Sequence, residues 1–434
     1  MKFNVFLFLL CFFSASVFAD KKTICSMTIN SEDEILAFKA NLSAQDFNFI
    51  ELTANDKDPE TSWLKKSCQS GIQCDVLVIS GHFAGTFFGS SKKTLSLKEL
   101  ENSSCLDECA GILKKPKEVF LFGCNTLAGK QKDSRTPEQY LQVLLNDGFS
   151  LSQAQQVVAF RYSPLGGSFA TRMRNVFSQT PRIYGFNSVS PLGKHSGPLV
   201  NNYLKKIKSN YFYDLESITA SQNKNLLTSF KATSLVQVEG INFSVTNPDQ
   251  VMTSSPVCFL NANNKRNSRL QKLEWIEKLF AKGLGLELLM YVTDFINHES
   301  KQKRWNSSEA QVFLRIKQNE TLKKELIDLL NSKALWLERS KLDILAFIKS
   351  IKWLTPEEID TKVYSLLNLN NANFSKEDAL KVCSYDFQFA ITSIYDFSNQ
   401  QWSNPHFKHA MMCLTPPDHY PVWNKINESN SIFN

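Results

Sequence analysis

With 434 residues and 43% hydrophobic content, the chain can bury a sizeable core and divide into two or three domains. Its net charge of +7 is spread thinly, and the Lys-Lys pairs starting at 21, 65, 92, 114, 205 and 323 are not interleaved with stacking aromatics. That reads as a solvated surface and argues against a nucleic-acid groove.

Residues 1–19 (MKFNVFLFLLCFFSASVFA) carry one lysine, an apolar core and a small-residue end, the pattern of a secretory signal peptide removed before Asp20. Cys11 follows Leu10 where a lipoprotein signal wants a small residue, which argues against a lipid anchor. No later run reaches the roughly 18 apolar residues of a membrane span. The expectation is an exported protein, secreted or periplasmic, with no membrane span.

From residue 20 to about 210 the pattern alternates between strand and helix. Thr23–Ile29 reads as a strand, Ser31–Leu42 as a helix with acids in its first turn, and Phe47–Leu52 as the next strand. Two runs stand out, Cys74–Gly85 (CDVLVISGHFAG) and Glu118–Gly129 (EVFLFGCNTLAG). Each has an apolar stretch too short for a helix and bounded by glycine, as expected of strands buried on both faces of a parallel sheet. Leu95–Leu113 between them should be partly helical. Thr136-Pro137-Glu138-Gln139 opens a helix to about Asn146, and Gln153–Gln156 belongs to a second helical piece. Val157–Tyr162 (VVAFRY) reads as a strand, Ser168–Phe177 as a helix and Arg182–Phe186 as a last strand. Such βα alternation predicts an α/β fold, a mostly parallel sheet flanked by helices.

Residues 211–267 are polar and Asn-rich, with one strand-like run at Ser234–Phe243, and read as a connector. From 268 to 434 the pattern is helical alone. Leu270, Leu273, Ile276, Leu279 and Phe280 mark one face, and Thr355 and Ser375 open helices with an acid three residues on. An α-helical domain follows, for which a HEAT-like stack is one arrangement.

His82 ends the first apolar strand and Cys124 the second. In an open α/β sheet the carboxyl ends of strands line the ligand crevice, so the two can face each other as a thiol nucleophile and its base. The order, histidine strand, helix, cysteine strand, resembles the caspase-like (clan CD) cysteine peptidases: caspases, legumain, gingipains, clostripain, separase and the CHAT domains. The resemblance spans roughly residues 20–210. One departure is plain: the family's His-Gly is His82-Phe83 here. The resemblance implies that Cys124 attacks an acyl carbon, that His82 serves as base and as proton donor to the leaving amine, and that the backbone N–H groups of Phe83 and Cys124 stabilise the oxyanion. It also implies that residues on the strand after the cysteine shape the substrate pocket. Arg161 falls in the run matched to that strand, where its guanidinium would favour an acidic side chain; an arginine on the polar side of an edge strand is the alternative. His195, in the loop after the last strand, is a second candidate base.

Ten cysteines less Cys11 leave nine, an odd count in a chain expected to be oxidised. Cys124 is the one expected to stay outside any bridge. Cys68 with Cys74, and Cys105 with Cys109, are sequence-close candidate pairs; zinc is the rival reading, weakened by the spacing and by the lack of a following histidine.

Two functions remain open. One is an exported caspase-like cysteine peptidase acting on a protein or peptide substrate through a Cys/His dyad, with no cofactor and no metal. The other is a catalytically inactive caspase-like domain that binds a protein partner through its helical half.

Overall fold

A computed structural model describes residues 21–415 apart from 56–61, 131–134, 242–254, 262–266, 370–373, 388–396 and the single positions 92, 147, 209, 303, 375 and 386. The expected signal peptide and the Ser375 cap lie outside the described residues.

The N-terminal part is α/β, as expected. Its strands in chain order are β1 (Lys22–Thr28), β2 (Phe47–Glu51), β3 (Val76–Ser80), β4 (His82–Phe83), β5 (Thr86–Phe88), β6 (Leu95–Ser96), β7 (Glu118–Phe122), β8 (Arg182–Phe186) and β9 (Leu235–Val238). Six of them form one sheet in the order β2-β1-β3-β7-β8-β9, parallel throughout except for β9 at the edge. β3 and β7 are buried along their whole length, which explains their near-continuous Val, Leu, Ile and Phe. β4, β5 and β6 make a small antiparallel sheet branching from the tip of β3.

Each face of the large sheet carries its own apolar cluster. Phe38, Val78, Phe120, Tyr184 and Tyr203 pack under the helices Asp33–Asn41 and Gly193–Ile207. Leu77, Ile79, Leu121, Met173 and Phe177 pack on the other side. The buried Glu34 binds both helix and strand tip, accepting from Ser80 Oγ at 3.0 Å and from Ser196 Oγ. Burial pushes its carboxyl above the usual range, against the pull of those hydroxyls.

One expected strand is a helix. Val157–Tyr162 forms the second half of the helix Leu151–Tyr162, which starts from a reciprocal capping box between Ser150 and Gln153. Once that cap is made, nothing breaks the helix before Ser163-Pro164, and Val157 and Val158 are simply its buried face. The expected change from helical piece to strand at Gln156-Val157 does not occur.

Within 211–267, the segment read as a connector, several residues belong to the α/β core. Tyr211, Leu215, Leu226 and Phe230 are buried against the sheet, and β9 pairs antiparallel with β8. Tyr211 donates its hydroxyl to the buried Glu118 at 2.8 Å, beside Tyr184 at 2.6 Å. The polar composition is therefore spent partly on satisfying a buried carboxylate.

The C-terminal part is helical and has a separate core, in which Ile276, Val292, Phe295, Leu326, Leu345, Phe347, Val363 and Met411 are buried. Its helix Arg269–Ala281 opens on a Ser268–Gln271 capping box. The two parts are joined covalently by Cys105–Cys258. They are also joined by a polar network in which Arg172 and Tyr291 both donate to the buried Glu101.

The cysteines pair differently from their sequence neighbours. The bridges are Cys25–Cys74, Cys68–Cys109, Cys105–Cys258 and Cys383–Cys413. Cys74, just before β3, reaches Cys25 on the adjacent β1, while Cys68 on the helix Trp63–Gln69 reaches Cys109. Proximity across strands and helices overrides proximity in sequence. Cys124 is the one cysteine among the described residues outside these bridges, as its position required.

Candidate active site at the carboxyl edge of the sheet

Four adjacent parallel strands, β1, β3, β7 and β8, end on the same edge, and the chain just past each supplies one residue. These are Asn30, His82, Cys124 and Ser190. β3 and β7 pair in register from Val76↔Glu118 to Ser80↔Phe122, and Gly81 N–H adds one more bond to the carbonyl of Phe122 at 3.0 Å. His82 and Cys124 are thus each two residues beyond a paired position. The strand ends cross so closely here that a side chain on Gly123 would meet the Gly81 carbonyl at 2.7 Å and Phe83 Cβ at 2.9 Å. Glycine before the cysteine is a packing requirement.

His82 is partly buried and its ring stacks on Phe88, centroids 5.4 Å apart. Phe88 and Cys124 pack against the same apolar cluster, formed by Ala84, Tyr140, Leu144, Phe149, Val157 and Val158. Asn30 Nδ2 lies 3.4 Å from His82 Nε2. The orientation of that amide follows from its other end, because Asn30 Oδ1 accepts the Ser90 N–H at 3.1 Å. The NH2 therefore faces the ring, and Nε2 is the unprotonated nitrogen. Burial lowers the pKa of His82 below the ordinary histidine value. A donor aimed at Nε2 works in the same direction, so the resting imidazole is neutral and able to take a proton.

Cys124 Sγ accepts the backbone N–H of Ser190 at 3.3 Å. An N–H aimed at sulfur favours negative charge there. The next residue, Asn125, turns the chain with a left-handed φ of 61°, a conformation that asparagine tolerates better than most side chains. It is held by its N–H to the Ser188 carbonyl at 2.7 Å and by the Tyr140 hydroxyl, which donates to Asn125 Oδ1 at 3.2 Å.

The Phe83 side chain points away from this edge. It is fully buried, against Phe87 at 4.6 Å and Phe169 at 5.1 Å between ring centroids. Ala84 N–H bonds the Thr86 carbonyl, so the alternation of the antiparallel ladder makes Phe83↔Phe87 a non-hydrogen-bonded pair. The Phe83 N–H consequently points to the edge of β4 away from β5.

Two other sequence candidates sit elsewhere. His195 is exposed in the first turn of the helix Gly193–Ile207. Arg161 is in the last turn of the helix Leu151–Tyr162, its guanidinium 4.8 Å from the Tyr140 ring. The recess it lines with Asn125 and Tyr140 holds about 10 Å³, room for about one water and not for a carboxylate side chain. A much larger cavity, about 670 Å³, lies between the two parts of the molecule. It starts at Gly85 and Thr86, the tip of the hairpin that carries His82, and runs to Leu286, Arg339 and Tyr385.

Asn30 and Ser190 were not singled out from the sequence. Each is a polar residue just past a parallel strand, but that signal has meaning only once the strand order is known. Among the described residues no helix is long and apolar enough to cross a membrane. No family model, curated protein or solved structure matches the chain.

Proposed function

We propose that this protein is a cysteine peptidase of caspase-like type, with Cys124 as nucleophile and His82 as its base. The observation that supports it most is the register of β3 and β7, which sets an imidazole and a thiol at matching positions beyond adjacent strand ends. Cys124 Sγ attacks the scissile carbonyl carbon and its proton passes by way of His82 to the leaving amine. The thioester so formed is hydrolysed by water, with His82 as base. The N–H groups of Phe83 and Cys124 stabilise the oxyanion, a contribution of about 3 kcal/mol per donor in such sites. Asn30 keeps Nε2 unprotonated, and the Ser190 N–H stabilises charge on the sulfur before attack. The 670 Å³ cavity beginning at the hairpin tip, lined by neither His82 nor Cys124, is assigned to substrate residues away from the scissile bond. No cofactor has a part in this chemistry.

The second reading is a binding or scaffold protein that uses the same cavity without cleavage. It is supported by the share of that cavity built by the helical part, and by the departure from His-Gly at His82-Phe83.

The test is covalent labelling with an electrophilic peptide acyl probe. Cys124→Ala should abolish labelling, His82→Ala should slow it by roughly two to four orders of magnitude, and His195→Ala should leave it nearly intact. If wild type and His82→Ala label Cys124 at one slow rate, equal to that of a simple thiol at the same pH, the peptidase reading falls and the binding reading replaces it.

A further inference from the structure

Three donor atoms of two soft ligand types meet at the far end of the helical part. Cys383 Sγ, His409 and Cys413 Sγ each place a ligand atom within 4.8 Å of the other two. Cys383 is on the helix Lys376–Tyr385, while His409 and Cys413 are four residues apart on the helix Pro405–Leu414 and so share a face. In this structure the two sulfurs are joined as a disulfide. We propose that reduction of this bridge converts it into a binding site for a thiophilic metal ion, Zn²⁺ in the first instance, held by two thiolates and one imidazole.

Three features set this bridge apart from the others. Cys413 and His409 are exposed and Cys383 is half-buried, whereas Cys105 and Cys258 are both half-buried and Cys25, Cys68, Cys74 and Cys109 are buried in the α/β core. The exposed Cys413 sulfur is the one a reductant reaches most readily. The bridge also spans 30 residues, against 41, 49 and 153 for the rest. The shortest loop gains least from closure, so opening it removes the smallest constraint on the unfolded chain. Finally, the two helices are held by more than sulfur. Ala379 and Val382 on one, and Phe407, Ala410, Met411 and Leu414 on the other, are buried in the helical core, so the ligands stay opposed when the bond is broken.

The step balances with an external dithiol as reductant. The dithiol gives two electrons and two protons to the bridge, yielding two Cys thiols and its own cyclic disulfide. Zn²⁺ then displaces the two thiol protons, forming two Zn–S bonds and one Zn–N bond, with the protons released to solvent. Tetrahedral coordination puts sulfur at about 2.3 Å and nitrogen at about 2.0 Å from zinc. The sulfurs must therefore move apart from their bonded distance, which exposed ends of two packed helices permit. The exposed side of the site leaves the fourth position to water. Thiolate and imidazole donors select zinc or monovalent copper over magnesium and calcium. This site is independent of Cys124, and its failure would leave the peptidase reading untouched.

The experiment uses the full chain, treated with graded dithiothreitol, desalted without oxygen and titrated with Co²⁺ as a coloured stand-in for Zn²⁺. Alkylation and peptide mapping identify which cysteines have opened. The expected result is that Cys383 and Cys413 open first and that the reduced protein binds one Co²⁺ per chain. That binding should give thiolate charge-transfer and tetrahedral d–d bands that Zn²⁺ displaces, and the oxidised protein should give none. Cys413→Ser should lose the bands and His409→Ala, an exposed position, should weaken binding by at least about tenfold. The Cys383→Ser, Cys413→Ser double variant should keep the near-ultraviolet circular dichroism of the folded chain. The proposal is overturned if the reduced chain gives no thiolate bands, if His409→Ala binds as wild type does, if a buried bridge opens before Cys383–Cys413, or if the double variant is unfolded.

Discussion

The sheet edge and the far helical end both assemble sulfur and imidazole, and they do so through different periodicities. At the sheet edge each parallel strand delivers one residue past its end, so the group Asn30, His82, Cys124 and Ser190 needs four strands in the right order. On the helix Pro405–Leu414 a single element delivers both His409 and Cys413 to one face, and one neighbour supplies the second sulfur. The outcome for the thiols differs accordingly. A strand tip carries one sulfur with a backbone N–H aimed at it, and Cys124 lies outside the disulfides. A helix face at four-residue spacing meets a second thiol and oxidises. The first arrangement suits a nucleophile, the second a redox-controlled ligand set.

The largest effects should come from exchanging the roles of these two places. Cys124→Ala removes all labelling by an acyl electrophile, while the Cys383→Ser, Cys413→Ser double variant labels at the wild-type rate. Equal loss in both would mean that the far bridge supports the sheet edge, and the separation drawn above would fail. Next in size is Phe83. The family resemblance makes Phe83→Gly look like a restoration of His-Gly, but the ring fills the core between Phe87 and Phe169. Removing it should cost at least about 3–5 kcal/mol, by lost transfer energy and the cavity left behind. Urea unfolding would register this as a lower midpoint at unchanged slope. A variant as stable as wild type would show that the core closes over the gap.

Much of the sheet was legible because its strands are short apolar runs bounded by glycine. The run Arg182–Phe186 was located to the residue, and the histidine and cysteine strands fall within the runs Cys74–Gly85 and Glu118–Gly129. Val157–Tyr162 was misread because a buried helix face and a buried strand look alike over six residues; the Ser150–Gln153 cap lay just upstream and should have decided it. The disulfide partners were not legible, since they depend on which strands and helices are neighbours. The same holds for Asn30 and Ser190. The stretch 211–267 misled through its polarity, because the buried Leu215, Leu226 and Phe230 and the short edge strand β9 are set among polar residues. Limited proteolysis is expected to cut first within the polar, Asn-rich stretch 211–267, on the N-terminal side of Cys258. Because Cys258 lies beyond that cut and Cys105 before it, the fragments should migrate together without reductant and separate with it. Fragments that separate without reductant would exclude that bridge.

The smallest effect is the most specific, and it concerns how His82 is tuned. Burial lowers its pKa, and the Asn30 amide adds a donor that opposes protonation at Nε2. In the proposed mechanism the neutral ring is the form that accepts the thiol proton. The acid limb of the labelling rate should therefore have its midpoint below about 6.5, the value of an unperturbed histidine. Stability follows the same sign: below that value the unfolded chain takes up the proton first, so His82 makes the fold less stable as pH falls. Asn30→Ala removes the opposing donor and should move the limb upward toward the unperturbed value. Asn30→Asp puts a carboxylate at Nε2, favours the imidazolium and should move it further, beyond the alanine variant. The order wild type, Ala, Asp from lowest to highest midpoint is the expected result. An acid limb common to all three variants would detach Asn30 from the site, and with it the reading of the sheet edge as a single assembly built by four strands.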